Sequence, residues 1–226
     1  MKAKKKSKVK RRKSATDFTF HAVAKNYYTD EQYAKIRGVR IGIAGAGGLG
    51  SNCAINLVRS GFEDFVIADF DVVEASNLNR QAYNVCHLGR PKVECLGELM
   101  RAINPGCFVR PVRGRVNESN ITALFEDCRV VVEAFDKAEY KVMLSQAFAG
   151  SSKLVVSVSG IGGFGNSDRI VTRKIRDNYF LIGDGVSGVG NSIKPYAPCV
   201  NIAAAKQADV VLSWIIGDGQ VFSQAP

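Results

Sequence analysis

The chain has 226 residues, 46% of them apolar, which is enough for one domain with a sizeable core. Its formal net charge is +10, but nine of the 31 basic residues lie within residues 2–13, and the other 22 nearly balance 21 acidic residues. The composition therefore argues against a nucleic-acid-binding surface on the folded body. No apolar segment follows the basic residues as in a secretory signal, and no uninterrupted apolar run reaches the ~20 residues that cross a bilayer.

Residues 1–16 are predicted to form a disordered basic tail, because a block of like charges repels itself and buries no apolar surface. Such a tail could contact RNA, anionic lipid or an acidic partner, although clustered charge alone carries no specificity. A single domain is expected over residues 17–226, opening with a polar, partly helical segment over 17–38.

From Val39 onward, short apolar runs alternate with longer helical segments. Strands are predicted over residues 39–44, 65–68, 108–112, 130–135 and 154–158, and helices over 52–60, 91–103, 121–125, 137–148 and 200–216. This alternation indicates a Rossmann-like, three-layer α/β domain with a mostly parallel sheet and helices on both faces. An antiparallel extension is expected near the C-terminal end. The glycine-rich residues 160–197 are expected to be flexible.

A glycine-rich turn follows the first predicted strand. Gly45, Gly47 and Gly50 form G-x-G-x-x-G, with Gly48 inside it, between a strand and a helix whose N-terminus favours phosphate. Asp69 ends the second strand nineteen residues later, where a carboxylate can accept ribose hydroxyls. The turn therefore predicts a nucleotide site, but a dehydrogenase would satisfy it equally well.

A second series of motifs is more specific. It consists of Asp69-Phe70-Asp71, then Ser76-Asn77-Leu78-Asn79-Arg80-Gln81, Gly89-Arg90-Pro91-Lys92, Asn104-Pro105 and Asp136. In this order and spacing the motifs resemble the ThiF/MoeB family, relatives of ubiquitin-activating enzymes, over roughly residues 39–216. The Pro195-Tyr196-Ala197-Pro198 segment resembles the short ThiF-like branch.

The resemblance implies an ATP-dependent adenylyltransferase (a nucleotidyltransferase) that activates the C-terminal carboxylate of a ubiquitin-like sulfur carrier ending in Gly-Gly. The glycine turn, Asp69 on the ribose, and Ser76, Asn77 and Gln81 would bind ATP. Arg80 and Lys92 would bind the phosphates and act in catalysis, as would Asp136, which would hold Mg²⁺. Adenylation requires positioning of the partners and neutralisation of phosphate charge, whereas a dehydrogenase has no use for Arg80 and Lys92. Asp71 and Glu74 are expected to be structural or solvent-facing.

The sequence leaves several pathways and classes of function open. Thiamine thiazole synthesis is the expected pathway, while molybdopterin synthesis, cysteine synthesis and tRNA modification use the same chemistry. A nicotinamide dehydrogenase is disfavoured by Ser76 to Gln81. A non-enzymatic, nucleotide-binding interaction protein remains a third class.

The sequence also departs from the family pattern. The six cysteines form no C-x-x-C pair, so zinc is not expected, and their irregular spacing suggests reduced thiols in a cytoplasmic protein. No R-Y-x-R-Q arm precedes Val39, which leaves open whether an arginine from a partner subunit completes the site of the expected homodimer. The glycine-rich crossover contains no cysteine, and Cys199 lies just beyond it. We therefore expect adenylation only, with sulfur from a separate donor protein, and we expect the other cysteines to be buried.

Overall fold

The structure is a computed structural model that describes residues 19–24, 26–190 and 193–218. The basic tail predicted over residues 1–16 lies outside the described residues. Everything below concerns the described part of the chain.

Seven strands form one sheet in the order β3-β2-β1-β4-β5-β7-β6. Six of them run parallel to one another, and β6 pairs antiparallel with β7 at one edge. The predicted parallel α/β sheet with an antiparallel extension is thereby confirmed. The strands are β1 (Arg40–Ala44), β2 (Asp64–Asp69), β3 (Phe108–Arg113), β4 (Val130–Glu133), β5 (Leu154–Val158), β6 (Val171–Arg176) and β7 (Tyr179–Gly183).

The described residues contain seven α-helices and two single 3₁₀ turns besides these strands. The helices are α1 (Phe20–Ala24), α2 (Asp30–Arg37), α3 (Gly48–Arg59), α4 (Lys92–Ile103), α5 (Ile121–Leu124), α6 (Ala138–Ala147) and α7 (Ala197–Ile216). The 3₁₀ turns are Ala75–Asn77 and Val85–His87. Helix α2 begins with a capping box, in which Thr29 and Gln32 each accept a hydrogen bond from the other's backbone N–H.

The central strands bury both of their faces. In β1, Ile41 and Ile43 belong to an apolar cluster shared with α3, α4 and α7, while Ala44 belongs to a second cluster with α5 and α6. Successive side chains of a strand point to opposite faces, so a run such as Arg40–Ala44 can contribute to both layers. The polar residues that end these strands are left at one edge of the sheet.

Helix α7 begins three residues earlier than predicted, with Pro198 in its first turn, a position that needs no backbone N–H. It is the one described helix that is long and apolar enough to cross a membrane by length and composition, although Lys206 and Asp209 interrupt its sequence. Of its most apolar 18-residue window, 56% is buried inside the protein. Its packing against α3 and β5 is that of a core helix.

The glycine-rich region is more ordered than the sequence suggested. Instead of a flexible stretch, it contains the β6–β7 hairpin and a loop held by Asp184. The Asp184 carboxylate accepts hydrogen bonds from the Val186 amide at 2.8 Å and from the Ser187 amide at 2.7 Å, and it pairs with Arg169. Burial alone would raise the pKa of Asp184, but these donors hold it well below its usual range.

Replacing Asp184 with asparagine is expected to lower the free energy of unfolding by about 2 kcal/mol at pH 7, because a charged acceptor with several donors is lost. The depressed pKa means that the carboxylate stabilises the folded state above its unfolded pKa and that this contribution is lost as pH falls below about 4. Urea denaturation at pH 7 and at lower pH measures the difference between variant and parent. A difference that does not shrink in acid would contradict the ion-pair account.

Candidate nucleotide site

A cleft of about 750 Å³ opens at the carboxyl ends of β1, β2, β4 and β5. Ligands of open α/β sheets bind at this edge, where the strand order changes direction. The expected site residues that line it are Gly45, Gly47, Gly48, Asp69, Asn77, Arg80, Gln81, Lys92 and Asp136. Gly50 and Ser76 do not line it.

The glycine turn adopts a conformation that side chains would block. Gly45 has a φ of +105°, and a Cβ added there would lie 2.8 Å from the Ala134 carbonyl oxygen. A Cβ on Gly50 would lie 1.8 Å from the Gly45 carbonyl oxygen. Gly50 therefore permits close packing of α3 against the turn, and the first turn of α3 faces the cleft at Gly48.

Asp69 ties the end of β2 to the glycine turn. Its carboxylate accepts hydrogen bonds from the backbone amide of Ala46 at 2.6 Å and from that of Asp71 at 2.8 Å. Burial raises the pKa of Asp69 from its ordinary value, while these amides and Lys92 oppose the rise. Each oxygen retains a further lone pair that can accept a ligand hydroxyl.

Arg80 lies against the first turn of α3. A Cβ added to Gly48 would lie 3.6 Å from Arg80 Cγ, and Asn52 donates to the carbonyl oxygens of both residues, at 2.7 and 2.9 Å. One guanidinium nitrogen, Nη1, donates to the Ser76 carbonyl and to Asn79 Oδ1. Within the described residues the Nε and Nη2 donors of Arg80 make no hydrogen bond, so they can serve an anion in the cleft.

Lys92 is the buried cation of the cleft. Only 6% of its side chain is exposed, and its Nζ lies 2.8 Å from Asp71 Oδ2. Asp71, expected to be structural or solvent-facing, is thus the partner of Lys92. The pair keeps an ammonium group inside the cleft without a ligand, and a phosphate would compete with Asp71 for it.

Gln81 contributes an acceptor without a partner. Its Oε1 and that of Gln207 are the buried side-chain polar atoms that find no hydrogen bond among the described residues. Buried polar groups are nearly always paired in folded proteins. Gln81 lines the cleft, so a small rotation of its side chain would present this buried oxygen to a ligand donor.

Asp136 follows β4 and is exposed at the cleft. Its carboxylate has no hydrogen bond or ion pair with the part of the chain that the structure describes. That part also holds no group of three or more His, Cys, Asp or Glu side chains suited to a metal. A free carboxylate fits Mg²⁺, which binds through one or two carboxylates together with phosphate oxygens and water.

The sequence prediction missed several residues of the cleft. Arg115 lies over the Phe70 ring at 4.0 Å, and Lys141 and Lys194 add two further cations to the wall. Lys141 pairs with Glu133, which is fully buried at the end of β4. The sequence did contain a signal for this pair. Glu133 directly follows the buried run Val130–Val132, and a buried acidic residue is expected to have a basic partner.

The exposure of two cysteines, Cys86 and Cys199, bears on the predictions made from the sequence. Cys86 is exposed, although all cysteines other than Cys199 were expected to be buried, because it lies in a solvent-facing 3₁₀ turn. Cys199 is 2% exposed in the first turn of α7. Reactive thiols need access to solvent, so its burial argues against a nucleophilic role.

Replacing Cys199 with serine is expected to keep the rate of ATP–pyrophosphate exchange within about threefold of the parent, a change below about 1 kcal/mol in barrier height. Mass spectrometry after incubation with ATP and a Gly-Gly carrier should find no thiol-labile adduct. An adduct at Cys199 that disappears in the serine variant would show covalent chemistry at this position.

Comparison with known proteins relates the chain to one family. The ThiF family matches residues 21–224. The SAMP-activating enzyme E1 of Haloferax volcanii is 35% identical over 116 residues, which are 51% of this chain and 43% of that protein. The adenylyltransferase and sulfurtransferase UBA4 of Candida glabrata is 30% identical over 129 residues, which are 57% of this chain and 30% of that protein. The chain thus spans less than half the length of these curated relatives.

Solved structures share the fold. The structure of E. coli tRNA N6-threonylcarbamoyladenosine dehydratase, TcdA, in complex with ATP superposes with a TM-score of 0.79 and 19% identity, covering 87% of this chain and 93% of that one. E. coli MccB with AMPCPP and MccA superposes with a TM-score of 0.63 and 18% identity, covering 84% and 59%. At these identities the likeness shows the architecture alone.

Proposed function

The chain belongs to the ThiF family, and from that membership we propose that it is an ATP-dependent adenylyltransferase that activates a substrate carboxylate and releases pyrophosphate. The observation that carries the proposal is the grouping of Arg80, Lys92 and Asp136 with the N-terminus of α3 around one cleft. Two cations and a free carboxylate at a glycine turn suit a magnesium nucleotide whose phosphates undergo chemistry.

The proposed reaction is a transfer at the α-phosphate. An oxygen of the substrate carboxylate forms a bond to the α-phosphorus, the bond from that phosphorus to the bridging oxygen breaks, and pyrophosphate leaves with those electrons. Arg80 would donate N–H groups to the phosphates through Nε and Nη2, and Lys92 would exchange Asp71 for a phosphate oxygen. Mg²⁺ held by Asp136 and phosphate oxygens would neutralise charge on the triphosphate. No protein nucleophile is required.

The favoured substrate is the C-terminal glycine carboxylate of a small ubiquitin-like carrier. Both curated relatives named above support a carboxylate-activating role, one as a SAMP-activating enzyme and the other as an adenylyltransferase and sulfurtransferase. Neither name, nor that of either solved structure, supports the thiamine pathway expected from the sequence. A carboxylate on a modified tRNA base is the second candidate, favoured by the fold likeness to TcdA over nearly its whole length.

An exchange assay with two kinds of substrate tests the proposal. Purified protein is incubated with ATP, labelled pyrophosphate and Mg²⁺, together with Gly-Gly carriers or with tRNA bearing a carboxylate. Label should enter ATP only when a suitable carboxylate and Mg²⁺ are both present. Carrier-dependent exchange supports the first substrate and tRNA-dependent exchange the second, while absence of exchange with both substrate classes would overturn the enzyme proposal.

We also propose that the protein acts as a homodimer with a separate sulfur donor, in the cytoplasm. Within the described residues preceding β1, Arg37 pairs with Glu63 at 2.8 Å and supplies nothing to the cleft of its own chain. Sedimentation would measure the oligomeric state. Mixing Arg80→Ala subunits with subunits inactivated at another residue would then test whether activity returns, which is expected only if subunits complete one another's sites.

Deleting residues 2–13 is expected to leave exchange intact, because the described residues that line the cleft all lie between Gly45 and Val200, and the charges outside residues 2–13 nearly balance. Rates at low and moderate salt separate two effects, since an electrostatic contribution of the tail should fade as salt rises. A loss of activity that does not depend on salt would mean that the tail belongs to the site.

A further inference from the structure

Glu133 is a charged residue with no exposed surface at the end of β4. Its carboxylate accepts hydrogen bonds from the Phe135 amide at 2.7 Å, from Ser157 Oγ at 2.5 Å and from Lys141 Nζ at 3.0 Å to each oxygen. One carboxylate therefore joins the end of β4 to β5, to α6 and to the turn between β4 and α6. That turn carries Asp136.

Stability alone does not account for this arrangement. Replacing a buried ion pair with apolar residues of similar volume is often neutral or stabilising, so the pair contributes little that valine and leucine could not. What an apolar residue could not do is accept the Phe135 N–H, which is the last backbone donor before Asp136. The hydrogen bond fixes the direction in which the chain leaves the strand.

A second buried amide supports the same strand ends. Gln207 of α7 donates to the carbonyl oxygens of Glu133 and Val156, at 2.9 and 3.2 Å. Among the described residues it makes no hydrogen bond to residues 134–137. Two buried side chains therefore support the ends of β4 and β5. Glu133 also accepts a hydrogen bond from the turn that carries Asp136, whereas Gln207 bonds only to the strands.

We propose that Glu133, with Lys141 as its counter-ion, is a positioning residue that holds the Asp136 turn in the geometry required for the magnesium nucleotide. This inference rests on the proposed function. Glu133 does not touch the nucleotide; it acts through the Phe135 amide on Asp136. Lys141, which also lines the cleft, keeps the buried carboxylate from adding uncompensated negative charge beside the phosphates.

Two variants of Glu133 separate the loss of its charge from the loss of its hydrogen-bond acceptors. Glu133→Gln removes the charge at constant size and keeps an oxygen acceptor, whereas Glu133→Met removes both the charge and every acceptor at similar length. Aspartate is unsuitable, because a short carboxylate also accepts from the amide two residues on, as Asp69 and Asp184 do. Hydrogen exchange of the peptide covering residues 133–138 should become tenfold or more faster in Glu133→Met, in the absence of any substrate. This readout does not depend on the activity, so it stands even if the adenylation proposal fails.

The magnesium dependence of exchange tests the link to Asp136. Glu133→Gln should raise the Mg²⁺ concentration for half-maximal exchange about tenfold. Lys141→Arg by itself, which can retain the ion pair with Glu133, should leave that concentration near the value of the parent. In an Asp136→Asn background, Glu133→Gln should cause no further change, because its route of action is already lost.

Gln207→Leu is the matched control within the same network. It should lower the midpoint of urea unfolding without changing either hydrogen exchange of the Asp136 turn or the Mg²⁺ dependence. The inference would be overturned if hydrogen exchange of residues 133–138 were unchanged in both Glu133 variants. It would also be overturned if Glu133→Gln and Asp136→Asn had additive effects on the rate of ATP–pyrophosphate exchange, because the two residues would then act independently.

Discussion

Replacing Arg80 with alanine is expected to lower ATP–pyrophosphate exchange by about a hundredfold or more while the protein remains folded. The expectation follows from its position: Arg80 lines the cleft, its Cγ lies beside Gly48 in the first turn of α3, and its Nε and Nη2 donors are uncommitted among the described residues. Loss of one donor aimed at developing charge typically costs that much in rate. Steady-state exchange, with circular dichroism to verify folding, measures the effect.

Arg59→Ala is the matched control for this experiment. Arg59 is an exposed arginine in the last turn of the same helix, far along the axis from the glycine turn. Its loss should leave exchange within about twofold of the parent. If Arg80→Ala exchanges as fast as Arg59→Ala, the role assigned to Arg80 from its motif is wrong.

Asp136→Asn is expected to reduce exchange on the order of a hundredfold at a Mg²⁺ concentration that saturates the parent. An amide oxygen is a weaker ligand for a hard cation than a carboxylate, so part of the loss should be recovered at higher Mg²⁺. A titration of exchange against Mg²⁺ at fixed ATP separates the loss of metal affinity from a loss of maximal rate.

The control is Asp209→Asn, which changes an exposed carboxylate on α7 that does not line the cleft. It should leave the Mg²⁺ titration unchanged. If the titration of Asp136→Asn coincides with that of the parent, Asp136 does not hold the metal, and the cleft must recruit it in another way.

The parallel core of the fold could be predicted because its strands carry an unambiguous signal. Leu154–Val158 has the predicted bounds, and the other predicted strands differ from the structure by one or two residues at one or both ends. Continuous apolar runs separated by amphipathic segments leave few alternatives to a sheet covered on both faces. Pairing order and strand direction follow from the connections.

The β6–β7 hairpin was harder to predict for a physical reason. Val171–Arg176 is a largely exposed edge strand with three basic residues and without regular alternation of polar and apolar residues, and the hairpin that contains it lies between glycine-rich segments. Glycine content indicated freedom of the backbone, whereas the loop is fixed by Arg169 and Asp184, fifteen residues apart. Composition does not reveal a pairing of that kind.

The candidate site was also predictable only in part. Motif spacing predicted that the glycine turn, Asp69, Arg80 and Lys92 lie at one cleft, because strand ends and helix starts meet at one edge of the sheet. It could not show that Lys92 is buried against Asp71, nor that Lys141 neutralises Glu133. These partners come from separate elements, and only the packed structure brings them together.

The most direct test of the central claim is detection of the acyl-adenylate itself. The protein is incubated with ATP, Mg²⁺, pyrophosphatase and a carrier ending in Gly-Gly, and the intact mass of the carrier is measured. We predict a species heavier than the carrier by one adenylyl group, absent with Arg80→Ala and absent for a carrier that lacks its terminal glycine. A carrier whose mass stays unchanged, while a carboxylate-bearing tRNA also gains no adenylyl group, would contradict the assignment of this cleft to adenylation.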